Sequence, residues 1–290
     1  MKYLSQLVLI AVFVVSITAC GGLDLGGSSA SPLEKARQEG VIKVGFANEK
    51  PYAYRTEDGK VTGEAVEIAR HVFKQMGIEN IEPVLTDFGQ LIPGLKAKRF
   101  DAITAGMYIT PERCKEVAFA NPEYKISQAL AVKKGNPKDL HSYEDIAANP
   151  DVTVAVMQGA IEKQYLKGVG VKESQIKSVQ DQPAALAMLK TGRVDAITMT
   201  GPALREVLEA EGDDGVETVE DFKQPVIDGE SVVGYGATAF RKEDEDLLKA
   251  YNQQLQKMKE NGELLEILKQ FNFAEENLPD DQTAEALCKG

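Results

Sequence analysis

Few side chains in this sequence have the reactivity for covalent or metal chemistry. Cysteines stand at 20, 114 and 288 and histidines at 71 and 141. No two of them fall at the spacing of a zinc or other transition-metal site. The sequence contains no Gly-x-Ser-x-Gly, no Gly-rich loop closing on Lys-Ser or Lys-Thr, and no acid pair at a set interval. His71 is expected on the exposed side of a helix and His141 in a surface loop after Pro137, so neither reads as an acid–base group. No metal, no cofactor and no catalytic residue is therefore expected. The 290 residues carry 45 acidic against 33 basic side chains, a net charge of −12 without a basic run, which argues against nucleic acid as a partner.

Cys20 is the exception. An apolar run from Leu7 to Ile17 follows Lys2 and ends in Ile17-Thr18-Ala19-Cys20. Eleven residues are too few for a spanning helix, which needs roughly 20, and suit a secretory signal. The tetrapeptide resembles the lipobox of bacterial lipoproteins, in which the Cys becomes the first residue and is lipidated. The expectation is a signal peptide over 1–19, then lipidated Cys20 and a flexible Gly/Ser-rich tether over 20–32. Such a tether reaches roughly 35–40 Å from a membrane surface when extended. A plain signal peptide that happens to contain a Cys is the alternative. In an extracytoplasmic, oxidising compartment Cys114 and Cys288 form an even pair, and a disulfide is favoured over two free thiols.

An internal duplication gives the organisation. Leu95-Lys96-Ala97-Lys98-Arg99-Phe100-Asp101-Ala102-Ile103-Thr104 recurs as Leu189-Lys190-Thr191-Gly192-Arg193-Val194-Asp195-Ala196-Ile197-Thr198, with seven of ten positions identical. Each copy reads as the end of a helix and the start of a buried strand, and two copies at so long a period mean two similar α/β lobes rather than a solenoid. Val41 to Ala47 and Val152 to Met157 read as apolar strands. Glu64 to Met76 reads as an amphipathic helix stopped by Gly77. Asp244 to Lys259 and Gly262 to Phe271 read as two helices. Gln128–Lys133 and Ser231–Phe240 read as extended segments crossing between lobes, which would give lobe 1 residues 33–132 plus 234–290 and lobe 2 residues 133–233. Ligands of open α/β sheets bind beyond the carboxyl ends of strands, here after Phe46, Thr104, Val156 and Thr198, in a cleft closed by a hinge.

Val44-Gly45…Pro51-Tyr52-Ala53-Tyr54…Asp58-Gly59…Gly63-Glu64…Ile68-Ala69, Leu91-Ile92-Pro93-Gly94-Leu95 and Gly106-Met107-Tyr108-Ile109-Thr110-Pro111-Glu112-Arg113 together resemble the family 3 extracellular solute-binding proteins of ABC importers. Asn261-Gly262…Ile267…Phe271 matches that family's last helix. Phe46-Ala47-Asn48-Glu49-Lys50-Pro51-Tyr52 and Leu287-Cys288-Lys289-Gly290 are similar to its ectoine/hydroxyectoine-binding branch. The resemblance implies a two-lobed periplasmic-binding-protein-like α/β fold of type II, with two hinge strands and the ligand in the interlobe cleft. It places Arg113 on the ligand carboxylate, a task a guanidinium fork suits. It places Tyr52, Phe88 and Tyr108 around the ligand as an aromatic cage, with Glu49 as counter-charge to a delocalised cation. Gly106, Gln158 and Gly159 line the site on this reading, the amide groups of the last two meeting the carboxylate. Where the family's amino-acid binders carry an Asp after the repeated strand, this chain has Met199-Thr200-Gly201. Thr200 brings no charge, so an isolated ammonium would be poorly compensated.

The implied ligand is a small zwitterionic compatible solute, ectoine or hydroxyectoine, and the implied partners are the transmembrane permease subunits and, through the lipid anchor, a membrane. The protein is expected to be a monomer. Two alternatives stand beside this reading: a polar or cationic amino-acid binder of the same family, and an extracytoplasmic dehydratase on the same fold.

Overall fold

The computed structural model describes residues 30–212, 215–227 and 229–289; the expected signal peptide, Cys20 and all but the end of the tether lie outside them. Two five-stranded sheets organise the described residues. The first has the order Asn80–Leu85, Val41–Phe46, Ala102–Ile103, Ala239–Phe240, Ala118–Phe119, and the second Ile176–Val179, Val154–Met157, Ala196–Thr200, Gln128–Lys133, Val216–Thr218. In both, three parallel strands are followed by one antiparallel strand that arrives from elsewhere in the chain. The duplicated segment supplies the middle strand of each sheet, Ala102–Ile103 in one and Ala196–Thr200 in the other.

Composition explains the burial. Val154–Met157 and Ala196–Thr200 are buried at every position, as parallel strands are when helices cover both faces. The helix Glu64–Gln75 buries Ala65, Val66, Ile68, Ala69, Val72 and Phe73 against the first sheet. The helix Gln182–Lys190 starts with an Asp181 side-chain cap and Pro183, and buries Ala185, Leu186 and Leu189 on the second. The C-terminal helices Glu245–Asn261 and Glu263–Lys269 are separated at Gly262 and return to the first sheet's layer, where Leu247, Tyr251, Leu255, Leu264 and Leu268 are buried.

The connection between the halves differs from the sequence expectation. Gln128–Lys133 does not cross. It pairs along its length with Ala196–Thr200 and with Val216–Thr218 of the second sheet. The crossing is made one step earlier, by an antiparallel ribbon of Tyr124–Ile126 and Gly234–Gly236, in register Gly234↔Ile126 and Gly236↔Tyr124. The apolar run 231–240 is accordingly broken into short pieces, because it must leave one sheet, form the ribbon and enter the other. His71 also departs from expectation: it lies half-buried against the C-terminal helix, with Nε2 3.1 Å from Glu263. His141 sits at the surface between Asp221 and Asp139.

Cys114 and Cys288 are joined by a disulfide with Cα atoms 5.7 Å apart. It fixes the short helix Ala284–Leu287 to the helix Pro111–Glu116, beside Arg113.

Candidate functional site

The carboxyl ends of the central strands of both sheets open onto one narrow cleft. From the first half come Glu49 and Tyr52, on the loop after Val41–Phe46, then Phe88, then Gly106, Tyr108 and Arg113 after Ala102–Ile103. The second half contributes Met157, Ala160, Ile161 and Glu162 after Val154–Met157, Gln182 and Ala185 at the start of their helix, and Thr198, Met199 and Thr200.

Seven of the nine residues expected here therefore line one cavity: Glu49, Tyr52, Phe88, Gly106, Tyr108, Arg113 and Thr200. Gln158 and Gly159 stand outside that lining, at the exposed rim. The Gln158 amide donates to Val179 O at 2.8 Å, so strand pairing has already claimed the N–H expected to meet a carboxylate. The Gly159 carbonyl accepts from Arg113 Nη2 at 2.9 Å.

Packing behind the site holds the aromatic rings. Tyr52 stacks on Tyr124 with centroids 5.5 Å apart, and Phe273 packs edge-on against both. Gly106 has a left-handed φ of +62°, and a Cβ there would sit 2.4 Å from the Tyr52 ring. Gly234, in the crossing ribbon, leaves room for Tyr108, since a Cβ would fall 1.7 Å from its ring. The helix carrying Arg113 is capped by Thr110, whose hydroxyl accepts the Arg113 amide at 3.2 Å. Arg113 Nη1 donates to Tyr108 O at 2.8 Å, and its guanidinium lies over the Phe88 ring, 5.7 Å from the centroid. One hydrogen-bonding edge is thus spent on holding the group in place and the other reaches across the cleft.

Polar contacts among the described residues join the halves, and Gln128 Nε2, 3.5 Å from Tyr108 OH, makes one of them. Tyr52 OH donates to Thr200 Oγ1 at 2.6 Å, Gln182 Nε2 donates to Glu49 Oε1, Arg113 donates to Gly159 O, and Gln180 Nε2 donates to Asp87 Oδ1 at 2.9 Å. Thr200 is therefore tied to Tyr52 across the cleft.

The cleft is electrostatically unbalanced. Its lining holds one cation, Arg113, and two carboxylates, Glu49 and Glu162. Burial pushes Glu49 up to about 8, helped by repulsion from Glu162 and opposed by Arg113 and the Gln182 hydrogen bond. Burial likewise raises Glu162 to about 7, against a hydrogen bond from its own backbone N–H and the attraction of Arg113. Glu162 and Gln182 were not legible in the sequence. Gln182 had one usable signal, its place immediately after the Asp181 cap of the duplicated unit's helix. Glu162 had only its position next to the apolar Ala160-Ile161.

Comparison with known proteins gives consistent relatives. The chain is 35% identical over 281 residues to a probable amino-acid ABC transporter periplasmic-binding protein, y4tE, of Sinorhizobium fredii, covering 95% of this chain and 92% of that one. It is 30% identical to the arginine-binding extracellular protein ArtP of Bacillus subtilis, over 93% of this chain and 98% of that one. Among solved structures, EhuB in complex with hydroxyectoine superposes with a TM-score of 0.80 at 35% identity, covering 89% of this chain and 97% of that one. The architecture is the two-lobed α/β fold of type II periplasmic binding proteins. Residues 42–275 match the model of the bacterial extracellular solute-binding proteins, family 3, and the chain belongs to that family, as the solute-binding component of an ABC importer.

Proposed function

We propose that this protein captures ectoine or hydroxyectoine, closes its lobes over the solute and presents it to the permease. The observation that carries the reading is the convergence of Arg113 and Glu49 on a cleft walled by Tyr52, Phe88 and Tyr108, with the uncharged Thr200 in the same lining. Ectoine is a cyclic amidinium carboxylate. Its carboxylate suits the guanidinium of Arg113, its flat delocalised cation suits aromatic faces, and Glu49 supplies the counter-charge. The likeness to the hydroxyectoine complex of EhuB supports the same ligand class.

One observation favours a second reading, a cationic amino acid. Glu162 reaches the cleft from the second lobe and can take the place of the absent Asp beside an α-ammonium. Calorimetric titration of the refolded, ligand-stripped domain decides between the two. Micromolar or tighter binding of ectoine or hydroxyectoine without binding of glutamine or arginine is the expected result, and tight binding of arginine in place of ectoine overturns it.

We propose further that the lobes divide at the ribbon, giving lobe 1 residues 33–126 plus 234–290 and lobe 2 the stretch between. The same proposal includes a monomer held to the membrane by lipid on Cys20. Mass spectrometry of the mature N-terminus tests the anchor, since an unmodified Cys20 or cleavage elsewhere would exclude it.

A further inference from the structure

The last stretch of the chain, from Phe273 to Cys288, is fastened at a series of points, each beside a part on which the cleft depends. Phe273 packs edge-on against Tyr52 and Tyr124. Asn277 Nδ2 donates to Lys125 O at 3.1 Å and Asp280 accepts from Lys125 Nζ at 2.6 Å, which pins the stretch to the ribbon strand Tyr124–Ile126. The Ala284 amide donates to Asn121 Oδ1 at 3.2 Å, just ahead of that strand. Ala284, Leu287 and Cys288 pack into the apolar cluster that includes Phe88, Ile109 and Val117, and Cys288 closes its disulfide on Cys114, the neighbour of Arg113. From residue 276 on, this stretch lies beyond the part of the chain that matches the family.

The helix that carries Arg113 needs such a hold. Pro111–Glu116 has six residues, and its side chains are half-buried or exposed. A helix that short depends on what it is packed against, and its ion pair Lys96–Glu116 lies at the surface, where such pairs contribute little. The task of Arg113 leaves little slack: Nη1 is spent on Tyr108 O, and Nη2 spans to Gly159 O at 2.9 Å, a bond that a shift of about 1 Å breaks. We infer that Phe273–Cys288 is a strap that sets the binding geometry of the first lobe, and that Cys288 is a positioning residue for Arg113. The strap meets Tyr52 at one end and the Arg113 helix at the other, with the ribbon between them, so it fixes the spacing of cage, hinge and guanidinium. A disulfide that only restricts the unfolded chain changes stability and leaves the affinity of the folded protein as it was. Affinity therefore separates the two roles. The inference rests on the reading of this cleft as the solute site, and it holds for an amidinium solute and for a cationic amino acid alike.

Cys114→Ser/Cys288→Ser opens the strap at its end, and Asn277→Ala/Asp280→Asn loosens its middle. Gly170→Ala, where a left-handed φ of +98° makes Ala costly, controls for lost stability alone. Ectoine, hydroxyectoine, arginine and glutamine are titrated by calorimetry into the stripped wild type and each variant, at a temperature where circular dichroism shows the protein folded. The comparison is read on the ligand that binds the wild type most tightly. The disulfide variant should lose affinity tenfold or more and N277A/D280N threefold or more. Hydrogen exchange at 111–117, where the Cys114 and Val117 amides donate to Thr110 O and Arg113 O, should quicken in the disulfide variant. A smaller loss of affinity in either variant, unchanged exchange in that helix, or an equal loss in G170A overturns the inference. Where the disulfide variant does not fold, N277A/D280N decides alone by the same threshold. Arginine or glutamine binding in place of ectoine overturns only the solute named above, and failure of all four to bind the wild type overturns both readings.

Discussion

Replacement of Gly159 by Ala probes the closed position of the lobes, because the nearest neighbours of the side chain it adds are Gly89 and Phe88 on the opposite lobe. A Cβ on Gly159 would lie 2.7 Å from Gly89 Cα and 3.2 Å from Gly89 N. Carbon atoms in ordinary contact sit about 3.5–4.0 Å apart, so the opposing backbone must retreat by nearly 1 Å. The obstacle is main chain, not the end of a flexible side chain, and it cannot rotate away. A retreat of that size along the contact also draws Gly159 O out of hydrogen-bond reach of Arg113, from its present 2.9 Å. Overpacking of this kind costs about 1–3 kcal/mol, which corresponds to roughly a 5- to 150-fold loss of affinity when it acts on the closed form alone. Gly159 also has φ +84°, and Ala in a left-handed conformation costs about 1–2 kcal/mol whether the lobes are open or closed. Gly170 separates the two effects. Its φ is +98°, with nothing within 4 Å of an added Cβ. Gly170→Ala should lower the melting temperature and leave the dissociation constant unchanged, while G159A lowers both stability and affinity. Calorimetry gives the affinity, and small-angle scattering with saturating solute should show a larger radius of gyration for G159A than for wild type. Wild-type affinity in G159A, or an equal affinity loss in G170A, would refute the argument that this contact sets the closed position.

Three other predictions follow from the same geometry. Tyr52→Phe keeps the ring and removes the 2.6 Å bond to Thr200; a hydrogen bond of this kind contributes about 0.5–1.5 kcal/mol, so calorimetry should show about a 2- to 12-fold weaker complex, and an unchanged constant would mean the bond does not discriminate open from closed. Burial holds protons on Glu49 up to about 8 and on Glu162 up to about 7, against an ordinary 4.5 when unfolded, so their contribution to stability is full below pH 4.5 and is lost as pH rises through about 7 and 8. Denaturant unfolding at a series of pH values should therefore show ligand-free wild type losing stability relative to Glu49→Gln over that window; Glu64 and Glu123, also raised by burial, act in both proteins and cancel, and parallel curves would contradict the buried placement of Glu49. The Cys114–Cys288 bond spans 174 residues, and its removal in a Cys114→Ser/Cys288→Ser double variant should cost about 3–5 kcal/mol, with a loss under 1 kcal/mol in denaturant titrations counting against a constraint on the unfolded chain.

The sequence was most informative where a local pattern determines a position and least where rotation of a helix decides it. The duplicated segment located the middle strand of both sheets, since a buried strand after a helix end is a local property. Glu49, Tyr52 and Tyr108 lie on loops that follow strands of the first sheet, and Arg113 on the short helix just beyond the last of them, so naming the strand ends nearly named the cleft. On the second lobe the relevant side chains sit at helix starts. Which of Gln158, Gly159, Ile161 and Glu162 faces inward depends on how the chain turns after Met157, and Gly159 at φ +84° sends the rim outward and Glu162 in. The crossing ribbon was hidden for a different reason: Gly234–Gly236 is too short and too glycine-rich to stand out within the apolar run that contains it.

The interleaving of the two sheets has a consequence for the order in which they are completed. Every strand of the second sheet comes from the continuous stretch 128–218, whereas the first takes Ala239–Phe240 from beyond that stretch and seats it between Ala102–Ile103 and Ala118–Phe119. For a chain assembled from its N-terminus, the Ala239↔Ile103 pairing closes over 136 residues and is slow if the intervening chain is still a coil. Once that stretch has folded, its ends are held side by side at Gly234↔Ile126, and the long closure becomes a step of a few residues. A folded second lobe thus shortens the last closure of the first, in which Ala239–Phe240 takes its seat between Ala102–Ile103 and Ala118–Phe119.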